Sequence, residues 1–249
     1  MKSSYGPVSR KMINTSSIIP GDILCGGVKS FSAKLWLTDM DKYLQSCKTE
    51  FWRSVFRAET DYIVRELNGA KDVLSVGCGP AIIETGLAEH GFNVTGLDIS
   101  EEALQCAPDG MRTIVGSAET MNFPAACFDA VIYVASLQFI KNYKQAIKQT
   151  ARVLRADGKF LALLLNPGSE FFKEKTKNPA SYVNKIKHTD LEEIERTIAE
   201  YFAVKIEYFL GIKEQRIFEN QRPNLASLYV IKGKKNGNTR GGFSAAGVL

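Results

Sequence analysis

The chain has few of the features that would place it in a special class. No apolar run approaches the roughly 20 residues that cross a bilayer, which argues against a membrane protein. There is no dense Lys/Arg block. The formal charge of +5 over 249 residues tolerates an anionic partner without requiring one. Histidine occurs only at 90 and 188. The five cysteines, at 25, 47, 78, 106 and 127, are odd in number and form no CxxC pair, and no HxxxH occurs. Zinc-ligand spacing and a disulfide framework are therefore both missing, as in a reduced cytoplasmic protein that uses no metal. The N-terminal stretch is mildly basic, but its apolar pairs are too short for a signal-peptide core. Cys25 lacks the apolar run that precedes a lipid-attachment cysteine.

What is present is an ordinary soluble composition, 45% apolar and 24% charged, sufficient for a buried core. Residues 1–37 read as an irregular lead-in and 236–249 as a disordered tail. From Thr38 to Leu67 apolar residues recur at helical steps, through Leu44, Phe51, Trp52, Val55, Phe56, Tyr62 and Ile63. A regular alternation follows: strand Val73–Gly77, helix Pro80–His90, strand Asn93–Asp98, a helix capped by Ser100, strand Met111–Val115, the apolar run "CFDAVIYVASLQFI", helix Tyr143–Leu154 and strand "GKFLALLLN". Such alternation predicts an α/β fold, a doubly wound and mostly parallel sheet with helices on both faces. A polar insertion, 167–188, precedes a helix from Thr189, where Thr189 and Glu192 have capping-box spacing. Two alternating segments, "FAVKIEYFLGI" and "LASLYVIKG", then predict an antiparallel strand pair at one sheet edge. The domain is expected over 38–235, with 38–67 as a helical cap and 167–188 over the acceptor side.

The chemistry concentrates in "VLSVGCGPAIIETGLAEHGFNVTGLDIS", residues 73–100. Gly77 and Gly79 stand where a strand meets a helix. The missing Cβ allows a sharp turn and close approach to a ligand, and the helix start beyond it offers free N–H groups. Asp98 ends the next strand, 21 residues after Gly77. A carboxylate there suits a ribose diol. The dinucleotide fingerprint wants a third glycine where Ile82 stands, which lowers NAD and FAD.

With "VLSVGCGPA", "VTGLDIS", "GSAETMNFPAACFDAVIYVASLQFI" and "ARVLRADGKFLALLL" in this order and spacing, residues 70–166 resemble the class I S-adenosylmethionine-dependent methyltransferases. The likeness is to the small-molecule type that includes the ubiquinone and menaquinone methyltransferases. It implies a seven-stranded Rossmann-like sheet and S-adenosylmethionine as cofactor. Gly77, Cys78 and Gly79 would pass under the methionine part. Asp98 would hold the ribose, Ile99 the adenine face, and Ala118 and Glu119 the adenine edge. Ala135 and Ser136 would lie beside the cofactor, and Gln138 would look toward the acceptor. The chain departs from the family at Ser75, where an acid is usual, at Ala81, usually glycine, and at Ser117, often Asp.

The sulfonium methyl is already activated, so positioning is the main requirement and a base is needed only for an acceptor that loses a proton. Gln138 and His188 are the weak catalytic candidates, and His90 reads as a helix-end residue. Acceptor choice is expected in 38–67, Gln138, Asn166 and 167–188. The aromatics Phe51, Trp52, Phe56 and Tyr62 form either a lid or the packed face of a helix. Lys141, Lys144, Lys148, Arg152 and Arg155 form either a docking stripe or a solvated face. The Asn/Asp-Pro-Pro-aromatic motif of amino-group methylation and a Pro-Cys nucleophile are both missing, which favours a small-molecule acceptor over nucleic acid. A non-catalytic S-adenosylmethionine-binding or interaction protein is the alternative, and a nucleotide-dependent oxidoreductase the third.

Overall fold

A computed structural model describes residues 43–235. The lead-in 1–37, the start of the cap at 38–42 with it, and the tail 236–249 lie outside the described residues. After a helical turn at 43–47, helix α1 spans Glu50–Glu66, and the Thr49 hydroxyl accepts from Trp52 N at its start. The alternation that follows is β1 (Asp72–Val76), α2 (Ile82–Glu89), β2 (Asn93–Asp98), α3 (Glu101–Leu104), β3 (Arg112–Val115), β4 (Phe128–Val134), α4 (Tyr143–Val153) and β5 (Leu154–Leu165). Then come α5 (Glu170–Thr176), α6 (Leu191–Ala199), β6 (Phe202–Lys213), β7 (Arg216–Phe218) and β8 (Ala226–Lys235).

Among the described residues the sheet has eight strands, in the order β3-β2-β1-β4-β5-β8-β6-β7. The first five are parallel, and β8, β6 and β7 run antiparallel to their neighbours. The strand beyond the expected seven is β7, a three-residue strand folded from the polar connection between the two C-terminal segments. β8 pairs with β5 and carries β6 outside it, so the C-terminal pair extends the sheet rather than covering it.

The sheet is buried on both faces. Val55 and Ile63 of α1, Leu67 just after it, and Ile83 and Leu87 of α2 pack on one side with Ile132, Leu161 and Leu163. Ile147, Val153, Ile194 and Ile198 of α4 and α6 pack on the other with Leu74, Val131, Tyr133 and Phe160. Strands covered on both faces read as continuous apolar runs, which is why β4 and β5 are legible as central.

The ends of several elements differ from expectation for local reasons. α2 begins at Ile82 rather than Pro80, because Ala81 holds a left-handed φ of 58° and belongs to the turn. The cap of α6 is Asp190, whose carboxylate accepts from Glu193 N, so Thr189 is not the capping residue. Ser100 caps α3 as read, accepting from Ala103 N at 3.2 Å.

Strand order reverses between β1's neighbours, β2 on one side and β4 on the other. In open parallel sheets the crevice outside the carboxyl ends of the strands at such a point is where ligands bind. The expected site residues fall there.

Candidate functional site

β1 and β4 end pressed together at this crevice. Gly77 has φ +73°, and a Cβ there would stand 2.5 Å from Ser136 Cβ. Ser136 is buried and its hydroxyl donates to the Val76 carbonyl. Glycine at 77 is therefore required by the strand junction itself. Gly79 is different: its φ is +54°, and a Cβ there would meet nothing within 4 Å. The open side of the turn is at 79.

Cys78 between them points inward. Its sulfur packs over Gly96 of β2, where an added Cβ would lie 2.6 Å from it. Burial pushes the thiol up, helped by the nearby Glu84 and Asp98 carboxylates, which disfavours the thiolate.

Asp98 closes the other side. Its Oδ2 accepts from Gly79 N at 2.8 Å and its Oδ1 from Ser100 N at 2.9 Å. The turn after β1 and the cap of α3 thus orient one carboxylate, and each oxygen retains further acceptor capacity. Beside it Ile99 is 76% exposed, and Val115, paired with Asp98 across β2 and β3, is 55% exposed. Both apolar side chains are thus left uncovered at the ends of neighbouring strands.

Ala118 and Glu119 lie on a one-turn helix, Ala118–Thr120, capped by the Ser117 hydroxyl. One Glu119 oxygen accepts from Asn142 N at 3.0 Å, tying this turn to the start of α4. Ala135 holds φ 46° at the end of β4 with its N–H on the Leu163 carbonyl.

The two catalytic candidates are occupied by structural bonds. Gln138 is fully buried. Its Nε2 donates to the carbonyls of Leu165 and His188, and its Oε1 accepts from Leu165 N at 2.7 Å. His188 places Nε2 at 3.0 Å from the Ile140 carbonyl and 3.2 Å from that of Lys141, with its ring edge-on to Tyr143. Together they pin the end of the insertion to β4 and β5. Asn166 does similar work, donating to Pro223 and Ala226 carbonyls.

The basic stripe divides in the same way. Arg152 donates to the Met121 and Phe123 carbonyls, Arg155 pairs with Asp72 and Asp129, and Lys144 pairs with Glu193. These three cations serve the fold.

Sequence reasoning passed over two buried carboxyls. Ser75, where the family usually has an acid, donates its hydroxyl to Glu84 Oε1 at 2.5 Å. Glu84 is 2% exposed, and burial pushes it up to about 7. The acid missing from β1 is thus matched by one on the facing helix α2. Glu59 of α1 is also buried, and burial pushes it up to about 8. The signal was available: each acid interrupts an apolar helical stripe, Glu84 beside Ile83 and Leu87, Glu59 four residues from Val55 and from Ile63.

Residues 74–162 match the family described as a methyltransferase domain. The uncharacterized methyltransferase YdaC of Bacillus subtilis is 33% identical over 113 residues, 43% of this chain and 62% of that protein. A ubiquinone biosynthesis O-methyltransferase of Idiomarina loihiensis is 31% identical over 104 residues, 39% of this chain and 43% of that protein. The chain therefore spans about half the length of these relatives. Among solved structures, a SAM-dependent methyltransferase of Thermotoga maritima, described as a possible histamine N-methyltransferase, superposes with a TM-score of 0.66 at 17% identity. The match covers 82% of this chain and 97% of that one. A SAM-dependent methyltransferase of Archaeoglobus fulgidus gives 0.64, covering 78% and 99%.

Proposed function

We infer that this chain, a class I S-adenosylmethionine-dependent methyltransferase in fold and in the domain its residues 74–162 carry, transfers a methyl group to a small-molecule acceptor. The observation that carries this reading is the open turn at Gly79 hydrogen-bonded to the oriented Asp98 carboxylate, with the exposed Ile99 next to it in the chain.

These residues fit the cofactor. Asp98 offers charged acceptors to the two ribose hydroxyls. The exposed faces of Ile99 and Val115 suit a flat adenine ring, whose burial would remove apolar surface from water. Ala118 and Glu119 would hold the ring's edge. The open side of Gly79 and the backbone of Cys78 would receive the methionine part, with Ala135 of the β4 end beside it. Gly77 contributes by letting β1 and β4 close. When bound, the cofactor supplies a methyl group on a positively charged sulfur, ready for in-line displacement. The chain's share is to hold donor and acceptor in line and to exclude water. The cap and the insertion at the carboxyl ends of the strands are the segments placed to select the acceptor. No helix among the described residues is long and apolar enough to cross a membrane, and the reduced thiols and freely diffusing cofactor suit the cytoplasm.

Calorimetry with S-adenosylmethionine, S-adenosylhomocysteine and NADH tests the assignment. Binding of the first two at about micromolar affinity, near −8 kcal/mol, is expected. Asp98→Ala removes hydrogen bonds to a charged group, worth about 1.5–3 kcal/mol each, and should weaken both at least roughly tenfold. Binding of NADH alone would point to the oxidoreductase. Binding of S-adenosylmethionine with no methyl transfer to any acceptor class would favour the non-catalytic alternative.

A further inference from the structure

A second cleft opens on the α6 face of the sheet, beyond β5. It holds about 700 Å³ and runs from Asn166 and Gly168, just past β5, between α6 and the strands β8 and β6. None of the residues given to the cofactor lines it. Its volume lies in the range of small-ligand pockets.

One wall is aromatic and apolar. Tyr208 and Tyr229 are partners across β6 and β8, and their rings meet edge to face with centres 5.3 Å apart. Ile206 stands two residues before Tyr208, on the same face of β6, and is 46% exposed. The other wall is acidic. Asp190 caps α6, and Glu192 and Glu195 follow on its first turns. The Tyr229 hydroxyl donates to Glu195 Oε2 at 2.6 Å. Burial pushes that phenol up, and the Glu195 and Glu192 carboxylates add to the effect, so it keeps its proton and remains the donor. The bond holds the Glu195 carboxylate against the aromatic wall and uses one of its two oxygens. Among the described residues none of the three acids is in an ion pair. Arg196, the one cation lining the cleft, turns its Nε to the Glu192 carbonyl at 3.2 Å. A chain of formal charge +5 thus sets three carboxylates outside any ion pair along a cleft whose opposite wall is aromatic.

These walls select by charge and by shape. Carboxylates over low-dielectric walls concentrate a negative field, and an aromatic ring face attracts a cation. An anion is repelled, and a neutral apolar ligand would strip water from the carboxylates without replacing it. A metal ion needs ligands converging on one point, and among the described residues no such group of acids, histidines or cysteines occurs. The charges are instead spread along the cleft, Glu192 and Glu195 by about 4.5 Å of helix rise. We propose that this cleft binds an aliphatic diamine or polyamine. Its ammonium groups would face Glu192 and the unused Glu195 oxygen, and its methylene chain would cover Ile206 and the tyrosine rings. The inference goes beyond the methyltransferase reading and does not depend on it.

The test titrates the full chain with spermidine and putrescine by calorimetry at low ionic strength. The uncharged diol of putrescine's length, magnesium chloride and a lysine-rich peptide are the comparisons. Spermidine should bind with a sub-millimolar Kd, more tightly than putrescine, and binding should weaken with added salt. Saturating S-adenosylhomocysteine should leave it within about twofold, since the two sites share no residue. Glu195→Gln keeps an oxygen for the Tyr229 hydroxyl but removes the charge, and should weaken spermidine binding about tenfold or more. Ile206→Lys places a cation on the apolar wall and should abolish it. If Glu195→Gln fails to fold, Ile206→Lys decides, because its site is already half in solvent. No binding of either amine, equal binding of magnesium or the diol, variants that bind like wild type, or displacement by S-adenosylhomocysteine each overturns the proposal. Binding of the peptide with neither free amine overturns it as well, and would mark the cleft as a contact for a basic protein segment.

Discussion

At Gly77 a backbone constraint and a packing constraint fall on the same atom. Its φ of +73° disfavours any side chain, and a Cβ would collide with Ser136 Cβ at 2.5 Å, itself held by the Ser136 bond to Val76. Gly79 shares only the first constraint, with open space where its Cβ would go. The two glycines look alike in the sequence and should behave differently when replaced. Gly77→Ala should destabilise the fold by about 2 kcal/mol or more, since strain and overpacking add. Gly79→Ala should cost about 1–2 kcal/mol of left-handed strain and act mainly on cofactor affinity, by narrowing the approach. Urea unfolding and calorimetry on both variants separate the cases; a Gly77→Ala protein as stable as wild type would mean that β1 and β4 do not meet as described. The glycine pair and Asp98 were legible because the chemistry fixes their spacing along the chain. Glu84 shows in the sequence only as an acid interrupting an apolar helical stripe; its partner Ser75 lies on a different element, and only the packed fold brings the two together.

Among the elements, the segment from 167 to 188 departs furthest from its appearance. Its lysines, glutamates and asparagines read as a polar loop, yet α5 buries Phe171 and Phe172 and the following turn buries Val183. Lys175 sets its ammonium 5.9 Å from the Trp52 ring centre and 5.4 Å from that of Phe171, joining the insertion to α1. Short apolar pairs within charged sequence have no period to announce them, whereas β4 and β5 are apolar throughout and their burial shows directly. Of the two roles suggested by the sequence, Phe51, Trp52 and Phe56 take that of a packed helix face, against the core cluster that also holds Phe171, Phe172 and Val183 of the insertion. His188 anchors the far end of this segment. His188→Ala leaves the Ile140 and Lys141 carbonyls without their side-chain donor, which should cost about 1 kcal/mol of stability. Turnover of an identified acceptor should stay within about threefold, because the ring serves the backbone. A fall of a hundredfold in kcat at unchanged stability would return His188 to the reaction.

Taken as a whole, the molecule carries two sets of carboxyls that pull its stability in opposite directions with pH. Asp72 and Asp129 are held below the usual carboxylate range, chiefly by hydrogen bonds from Asn93, Arg155 and the backbone N–H groups of Asp72 and Lys71. Glu207 is held down by Lys232 and Tyr62 against the opposing effect of its burial. Their contribution is present above the ordinary carboxylate pKa and is lost on acidification, and partial exposure keeps it small. Glu84 and Glu59 move the other way, from 4.5 up to about 7 and about 8. The folded state then binds more protons than the unfolded chain between 4.5 and those values, so their contribution is complete below 4.5 and disappears as pH rises through 7 and 8. Maximum stability is therefore expected near pH 5, roughly at the acid end of the usual range. From there to pH 8 it should decline by several kcal/mol, since each pH unit over which one of these carboxyls is protonated only in the folded chain is worth about 1.4 kcal/mol. Urea unfolding of the wild type at intervals from pH 5 to 8 measures the slope. Glu84→Gln and Glu59→Gln should each remove part of it, Glu84→Gln without disturbing the Ser75 bond, since an amide oxygen accepts as a carboxylate does. A wild-type curve flat across that range would show that both carboxyls are charged and solvated in the folded protein.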